Sequence, residues 1–414
     1  MTSLLAHQHR HAPSPQGSPE QVADAAAAEN LLRCWIRETG VPRPADGVLR
    51  LPLAASGVTV EATVHHWSAV GWHRFGPARL ANGTPLPSTA LAALLTLETA
   101  AADPAAVADL TGRVTDSTRR VARFVQDRAA SPEDPPGTTP FLAGEQALIC
   151  GHPLHPTPKS REGLSDAEAE RYSPELRGSF PLHWFAADPS VVSADSALPD
   201  TAQRTVAALA GPDVQAPPGT VLVPAHPWQA REVTSRPGVQ ALLAKGLLHD
   251  LGPAGPSWSP TSSVRTLYRA DAPVMLKLSL GLRITNSRRE NLRLELRRGL
   301  EIHRLLDAGL DAALRAAHPS FAIVRDPAWL AVDSPDGEPT GLDVVLRDNP
   351  FRGDERAVCV AGLVSPRPEW RARGGGGAAP PGAVPARPAR PRPRRAHRPP
   401  RDRRRPGVVR PLRP

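Results

Sequence analysis

The spacing of apolar residues changes period twice in the first third of the chain, and each change marks a boundary. Leu31, Leu32, Trp35 and Ile36 keep helical spacing in a run that opens at Ser18 and stops before Gly40. Ser18 reads as the N-cap, Pro19 as the first helical position, and Glu20 and Gln21 as the first turn. Between Gly47 and Gly83 the period falls to two, over 48–53, 58–64 and 68–75, which predicts an antiparallel meander. Helical spacing returns over about 88–101 and 104–130, the second segment carrying Val107, Leu110, Val114, Val121 and Phe124. The Pro-rich stretch 131–137 then reads as a linker.

Beyond the linker the elements are shorter. The pattern predicts a helix over 166–170, a strand over 179–186, a helix over 202–209 and a buried strand over 221–224. A hairpin turns at Ala270–Pro273, and a helix covers about 287–307. Strands are predicted at 320–325, 329–332, 341–347 and 357–364, with a polar loop at 349–356. From about Pro366 apolar periodicity is lost, and the last 44 residues hold 11 prolines; such a segment cannot bury a core and is expected to be disordered.

Length adds that 414 residues suffice for two or three domains and a sizeable core. The reading is a disordered 1–17, a helical and β region over 18–135, a second region over 136–365 and a disordered tail over 366–414. No run of about 18 apolar residues exists to cross a membrane, and no apolar core follows the basic start as in a secretory signal. Cys34, Cys150 and Cys359 are odd in number, far apart and without a CxxC pair, so they read as plain thiols in a reducing, cytoplasmic setting. No protein-held metal site is expected.

The net charge of +9 invites a nucleic-acid reading, but its location argues against one. Fourteen arginines and one acid between Arg371 and Pro414 carry +13, which leaves the first 370 residues at −4. The tail also lacks interleaved aromatics, so a nucleic-acid role would rest on charge alone.

Three clusters carry candidate chemistry. In Gly151–Gly163, prolines 153, 156 and 158 exclude helix and central strand, so a stiff loop aims His152, His155, Lys159 and Arg161 in fixed directions. Cations on a rigid loop suit a carboxylate or phosphate. A second His-Pro step, His226-Pro-Trp-Gln229, follows a strand; on its own it caps a core edge as readily as it forms a site. The third cluster spans the hairpin. Ser263, Arg265 and Thr266 precede Lys277, a lysine inside an otherwise apolar strand, and Gly281 permits close backbone approach. Asn286, Arg288 and Arg289 then fall at the expected start of the next helix, where phosphate is favoured. This set describes a nucleotide-phosphate site, although no Walker A loop, GxGxxG or kinase signature is present.

Four of these motifs, in order, resemble the IucA/IucC family of siderophore synthetases that work without a nonribosomal peptide synthetase: the loop at 151–163, His-Pro-Trp-Gln at 226–229, Ser-x-Arg-Thr at 263–266 and Lys-Leu-Ser-Leu-Gly-x-Arg-Ile-Thr-Asn at 277–286. The resemblance covers about 18–365 and implies an α+β cupped-hand fold, with a helical/β thumb, antiparallel-sheet fingers and a C-terminal palm. It implies ATP-dependent adenylation of a polycarboxylate such as citrate, then attack by an amine, hydroxylamine or alcohol to form an amide or ester with release of AMP. It assigns Ser263, Arg265, Thr266, Lys277 and Asn286 to ATP, and Arg289 to the substrate carboxylate or phosphate. His155, and with it His152, would meet the α-phosphate region, and Lys159 and Arg161 the triphosphate. Mg²⁺ is expected with the nucleotide, small carboxylate and amine substrates are the expected partners, and the family is often dimeric.

One departure stands out. The family's palm, with its Glu-x-His-x-Gln type motif, has no counterpart here, and the sequence changes character near 366 as a frame shift in a GC-rich gene would make it. On this reading apolar surface is left exposed on the fingers-like region, and a nucleotide-binding paralogue without turnover is the alternative.

Overall fold

Ser18 starts the first helix by the local chemistry its sequence implies. In the computed structural model, which describes residues 17–99, 103–357 and 359–364, α1 runs Pro19–Thr39. Ser18 Oγ accepts from the Gln21 N–H, and Gln21 Oε1 accepts from the Ser18 N–H. This reciprocal cap contributes about 1 kcal/mol. Gly40, at φ 69°, ends the helix by donating to the Ile36 carbonyl. Residues 1–16 and the tail from 366, both expected to be disordered, lie outside the described residues.

The meander forms as β1 (Val48–Leu53), β2 (Val58–His66), β3 (Arg74–Phe75) and β4 (Arg79–Leu80), with β1, β3 and β4 all antiparallel to β2. The strand expected from Ser68 shrinks to β3. Ser68 N–H donates to His73 Nδ1 and its carbonyl accepts from Gly71, so a local turn consumes the groups a ladder would need. Helices α2 (Ser88–Thr99) and α3 (Pro104–Ala130) pack against this sheet and α1, burying Leu32, Leu49, Leu91 and Val114.

Past the linker, α4 (Pro140–Gln146) was not anticipated, although Thr139 caps it and Pro140 opens it. There follow β5 (Arg161–Glu162), α5 (Asp166–Tyr172), β6 (Phe180–Ala187), β7 (Val192–Ser196), α6 (Ala202–Ala210), β8 (Val221–Ala225), α7 (Pro227–Val233), α8 (Pro237–Ala244) and β9 (Leu248–Pro260). Next come β10 (Thr266–Tyr268), β11 (Val274–Leu278), β12 (Leu280–Ile284), β13 (Ser287–Arg289), α9 (Arg293–Leu305), α10 (Asp311–Ala317), β14 (Ala328–Val332), β15 (Val344–Asp348) and α11 (Val360–Val364). Eight strands form one antiparallel sheet in the order β7-β14-β15-β11-β10-β9-β6-β8, and β13-β12-β5 form a small second one. Trp184, Phe185, Trp258, Leu276 and Leu330 are fully buried in the large sheet's core.

Three expectations are corrected. The helix predicted from 287 begins at Arg293, because β13 folds back on β12 first. Residues 321–327 are irregular: Phe321 is 53% exposed and Ile323 37%, and no neighbouring strand supplies a ladder. The segment expected as a strand at 357–364 contains the helical turn α11 instead. Helix α9 is apolar on two sides, with Leu296 and Leu300 buried and Leu294, Ile302 and Leu305 all more than half exposed.

Candidate functional site

The loop at 151–163 is rigid for reasons its prolines only begin to explain. Gly151 has φ 74°, and a Cβ there would stand 2.5 Å from Pro158 Cβ. His152 Nδ1 accepts from the Leu154 N–H at 3.1 Å, and His155 Nδ1 accepts from the Thr157 N–H at 3.0 Å. Each His-Pro step is thus closed by its own ring, and the accepting nitrogen leaves the proton of the neutral imidazole on Nε2. Two N-terminal helices hold the loop from outside. Arg33 of α1 donates to the Pro153 carbonyl, while on α3 Ser117 Oγ accepts from Lys159 N–H, Asp116 accepts from Arg161 N–H and Arg120 donates to the Arg161 and Leu164 carbonyls.

Lys159 and Arg161, expected to reach a triphosphate, point the other way. Both side chains are buried on the carboxylate of Glu175: Lys159 Nζ pairs with Oε1, and Arg161 Nη2 donates to both oxygens at 2.7 and 2.8 Å. Burial pushes the Glu175 carboxyl up, but Arg161 and Lys159 outweigh it and bring it down to about 2. These cations already have their anion. His152 is exposed beside Arg37, and burial followed by that charge lowers its basicity.

The second His-Pro motif is a staple. His226 repeats the ring-to-backbone closure, accepting from Trp228 N–H, and lies fully buried between Tyr172 and Phe180 at ring distances of 4.7 and 4.9 Å. Trp228 Nε1 donates to the Gly163 carbonyl at the loop's end. Gln229 accepts from Gly281 N–H at 2.6 Å and donates to the Gly341 carbonyl. The close approach expected at Gly281 is therefore made by Gln229, together with Glu290, whose oxygen would stand 2.9 Å from a Cβ. The motif joins the loop to β12.

The hairpin cations face differently. Thr266 pairs with Lys277 across β10 and β11, which brings Arg265 alongside the lysine. The turn before them is tight, with Val264 at φ 67° and Ser263 Oγ accepting from Thr266 N–H. Glu145 accepts from both N–H and Oγ of Ser262. Arg265 donates to the Arg289 carbonyl at 2.7 Å and to Asn291 Oδ1 at 2.9 Å. Asn291, which no sequence signal singled out, also donates to the Lys277 and Asp343 carbonyls and thereby ties three segments together. Lys277 is half-buried, and its ammonium has no ion-paired or hydrogen-bonded partner among the described residues. Burial lowers its pKa; Asp326 opposes this, and Arg265 and Arg347 add to it.

Asn286, Arg288 and Arg289 belong to the β12–β13 hairpin, not to a helix N-terminus. Thr285 and Asn286 form its two-residue turn, with Thr285 at φ 60°. Arg289 Nη2 donates to Thr285 Oγ1 at 2.8 Å. His155 lies beside Asn286 and Arg289, and its buried Nε2 has no hydrogen-bond partner of full geometry among the described residues. Burial first, then His152 and Arg113, push its pKa down to about 4 against an upward pull from the Asn286 side chain, so near neutral pH the ring is uncharged. A chain of neighbours therefore runs from His155 through Asn286, Arg289 and Arg265 to Lys277. A cleft of about 600 Å³ opens at the Arg265–Arg289 part of this chain, lined by four arginines, Arg236, Arg265, Arg288 and Arg289, and by four glutamates, Glu232, Glu290, Glu295 and Glu338. Arg236 is already paired with Glu232 and Glu290, so the groups left to receive an anionic oxygen are Lys277, Arg265, Arg289 and His155.

Comparison with known proteins identifies the family. The model of the IucA / IucC family matches residues 140–365, more than half of the chain, and the chain belongs to that family. It is 39% identical over 320 residues to the rhizobactin siderophore biosynthesis protein RhbC of Rhizobium meliloti, covering 73% of this chain and 54% of the relative. It is 30% identical to the spermidine-citrate ligase of Bacillus anthracis, covering 83% and 64% respectively. Among solved structures, the ATP-bound aerobactin synthetase IucA of a hypervirulent Klebsiella pneumoniae pathotype superposes with a TM-score of 0.68 at 31% identity, over 83% of this chain and 62% of that one. The chain thus spans between half and two thirds of these proteins' lengths. Its mixed helical and antiparallel architecture is theirs.

Proposed function

We propose that this chain acts in siderophore biosynthesis as an ATP-dependent, AMP-forming ligase that joins a polycarboxylate, citrate or a dicarboxylate derivative, to an amine, hydroxylamine or alcohol. The carrying observation is Lys277: a half-buried ammonium with no ion-paired partner among the described residues, next to Arg265 and in line with Arg289, Asn286 and His155. Family membership and an ATP-bound relative with the same fold support the nucleotide. Relatives named for citrate support the acid.

In this reading Ser263, Arg265, Thr266 and Lys277 receive the triphosphate, and Arg289 with Asn286 and His155 hold the α-phosphate against the substrate carboxylate. A carboxylate oxygen displaces pyrophosphate from the α-phosphorus. The acceptor then attacks the acyl carbon, loses a proton and releases AMP. Preorganised donors stabilise the crowded phosphorus without having to reorganise. Among the described residues no group of three or more His, Cys, Asp or Glu could hold a metal. The residues present thus form no resident metal site; Mg²⁺ arriving with the nucleotide would rest on phosphate oxygens and water, and no step here runs through it.

The test is carboxylate-dependent pyrophosphate release from ATP with hydroxylamine as trap, across citrate, succinate, 2-oxoglutarate and succinylated diamines. Turnover with one acid, lost in Lys277→Met, supports the proposal and names the acid. ATP binding without pyrophosphate release would favour a nucleotide-binding protein without turnover.

A further inference from the structure

The Ser-x-Arg-Thr turn bends at a residue that resists bending. Val264 has φ 67°, a left-handed conformation in which a branched side chain crowds the backbone. It stands between Ser263 and Arg265, so the dihedral that strains it also sets how those two side chains lie relative to each other. Local bonds close the turn: Val264 N–H donates to the Thr261 carbonyl at 2.8 Å, Arg265 N–H to the Ser263 carbonyl at 2.8 Å and Thr261 N–H to the Thr266 carbonyl at 2.9 Å. Arg265 is then tied in beside Lys277, its carbonyl accepting from Leu278 N–H at 2.9 Å.

Strained backbone persists only where its surroundings over-determine it. On one side the Val264 side chain, 2% exposed, is seated in the core of the large sheet. On the other, Ser262 has an N–H and a hydroxyl that none of those bonds uses, and both donate to Oε2 of Glu145, at 2.8 and 2.6 Å. Glu145 lies on α4, and α4 is docked on the strand that leaves the turn. The Phe141 ring, one helical turn before Glu145, packs on Tyr268 of β10 at 4.9 Å, and the capping Thr139 meets the Tyr268 hydroxyl at 3.1 Å. The carboxylate is therefore delivered from a fixed base.

We propose that Glu145 is a positioning residue: by holding Ser262 it keeps Val264 left-handed, and so keeps the Ser263 hydroxyl and the Arg265 guanidinium set together for the anion that Lys277 receives. Released, the turn relaxes toward an ordinary φ and the two side chains part. That the anion is the triphosphate of ATP rests on the function proposed above; the hold on the turn does not.

The sign of the effect separates this role from charge. An acid repels a polyanion, so deleting Glu145 for its charge alone would tighten ATP binding, whereas releasing the turn weakens it. Glutamine keeps an oxygen that can accept both Ser262 donors, so it removes the charge without releasing the turn.

The full chain is compared as wild type, Glu145→Ala, Glu145→Gln and Ser262→Ala, by ATP affinity and by amide hydrogen exchange. Glu145→Ala is expected to weaken ATP binding roughly tenfold and to quicken exchange at Ser262 and Val264 roughly tenfold. Glu145→Gln should restore most of both. Ser262→Ala loses the hydroxyl arm and keeps the N–H arm, so ATP binding should weaken about threefold. Unchanged or tighter ATP binding in Glu145→Ala overturns the proposal. So does Glu145→Gln as weak as Glu145→Ala, which would make the charge and not the hold the active feature. Exchange quickened equally throughout α4 and β10 would make Glu145 a plain tether and overturns it too. If ATP fails to bind wild type while Ser262 and Val264 still respond to Glu145→Ala and not to Glu145→Gln, the ligase reading falls and the hold on the turn stands.

Discussion

The loop at 151–163 and the hairpins at 261–289 look alike as strings of cations, yet the fold treats them oppositely. In the loop, Lys159 and Arg161 turn inward to share Glu175 and become part of what holds the loop in place. In the hairpins, Lys277 has no ion-paired partner among the described residues and Arg265 donates to a carbonyl and an amide oxygen, so neither is spent on a packed acid. A cation's use is decided by whether an acid packs against it. The loop's contribution to the site is instead His155, whose ring lies beside Asn286 and Arg289.

The sharpest way to break this contrast is to remove the loop's anion. Glu175→Ala strands two buried cations and should cost ~3–5 kcal/mol in denaturant unfolding; a loss below 1 kcal/mol would show that water already reaches them. The same carboxyl gives a pH signature. Its folded pKa of about 2 lies below the ordinary glutamate value of about 4.5, so its contribution is complete above about 4.5 and is lost as pH falls toward 2.

Lys277→Met tests the other side. Activity should fall by roughly two to three orders of magnitude, as when a preorganised donor is lost. Stability should hold or rise, because burial already disfavours the charge that is removed. A large drop in stability with activity retained would reverse the contrast. His155 has a depressed pKa, so the folded state binds its proton less well than the unfolded chain. Its contribution is present above about pH 6.5 and declines as pH falls to about 4, and ring titration by NMR reads the lower value directly. The smallest effect is expected at Thr285→Gly. Relief of the positive φ offsets the lost hydroxyl, leaving stability within about 1 kcal/mol. ATP binding should nonetheless weaken, since Arg289 loses its contact with Oγ1; unchanged affinity would remove that contact from the site.

Much of the architecture is legible locally. Ser18, Pro19 and Gly40 bound α1 through backbone groups within a turn of themselves, and period-two alternation marks β1 and β2. The misreadings share a cause. Residues 287–289 follow a helix-like pattern, but Thr285 at positive φ turns the chain into a hairpin whose partner is β12; residues 320–325 look like a strand but gain only a single backbone bond from β15, from Asp348 to the Arg325 carbonyl, and no ladder. Asn291, Arg113 and Asp109 gave no sign, because an asparagine or an Asp/Arg pair at i, i+4 is ordinary until its distant partner is known.

By itself, then, the sequence determined the short-range features: caps, turns, strand periods, the stiffness of the proline loop and the order of four motifs that place the chain in its family. Only the tertiary structure decided which cations are spent and which are free. That depends on Glu175 lying against Lys159 and Arg161, on no acid pairing with Lys277 among the described residues, and on Arg113 reaching Asn286 from 173 residues away. Hydrogen bonds and ion pairs act over a few ångströms, and only folding determines which residues come that close.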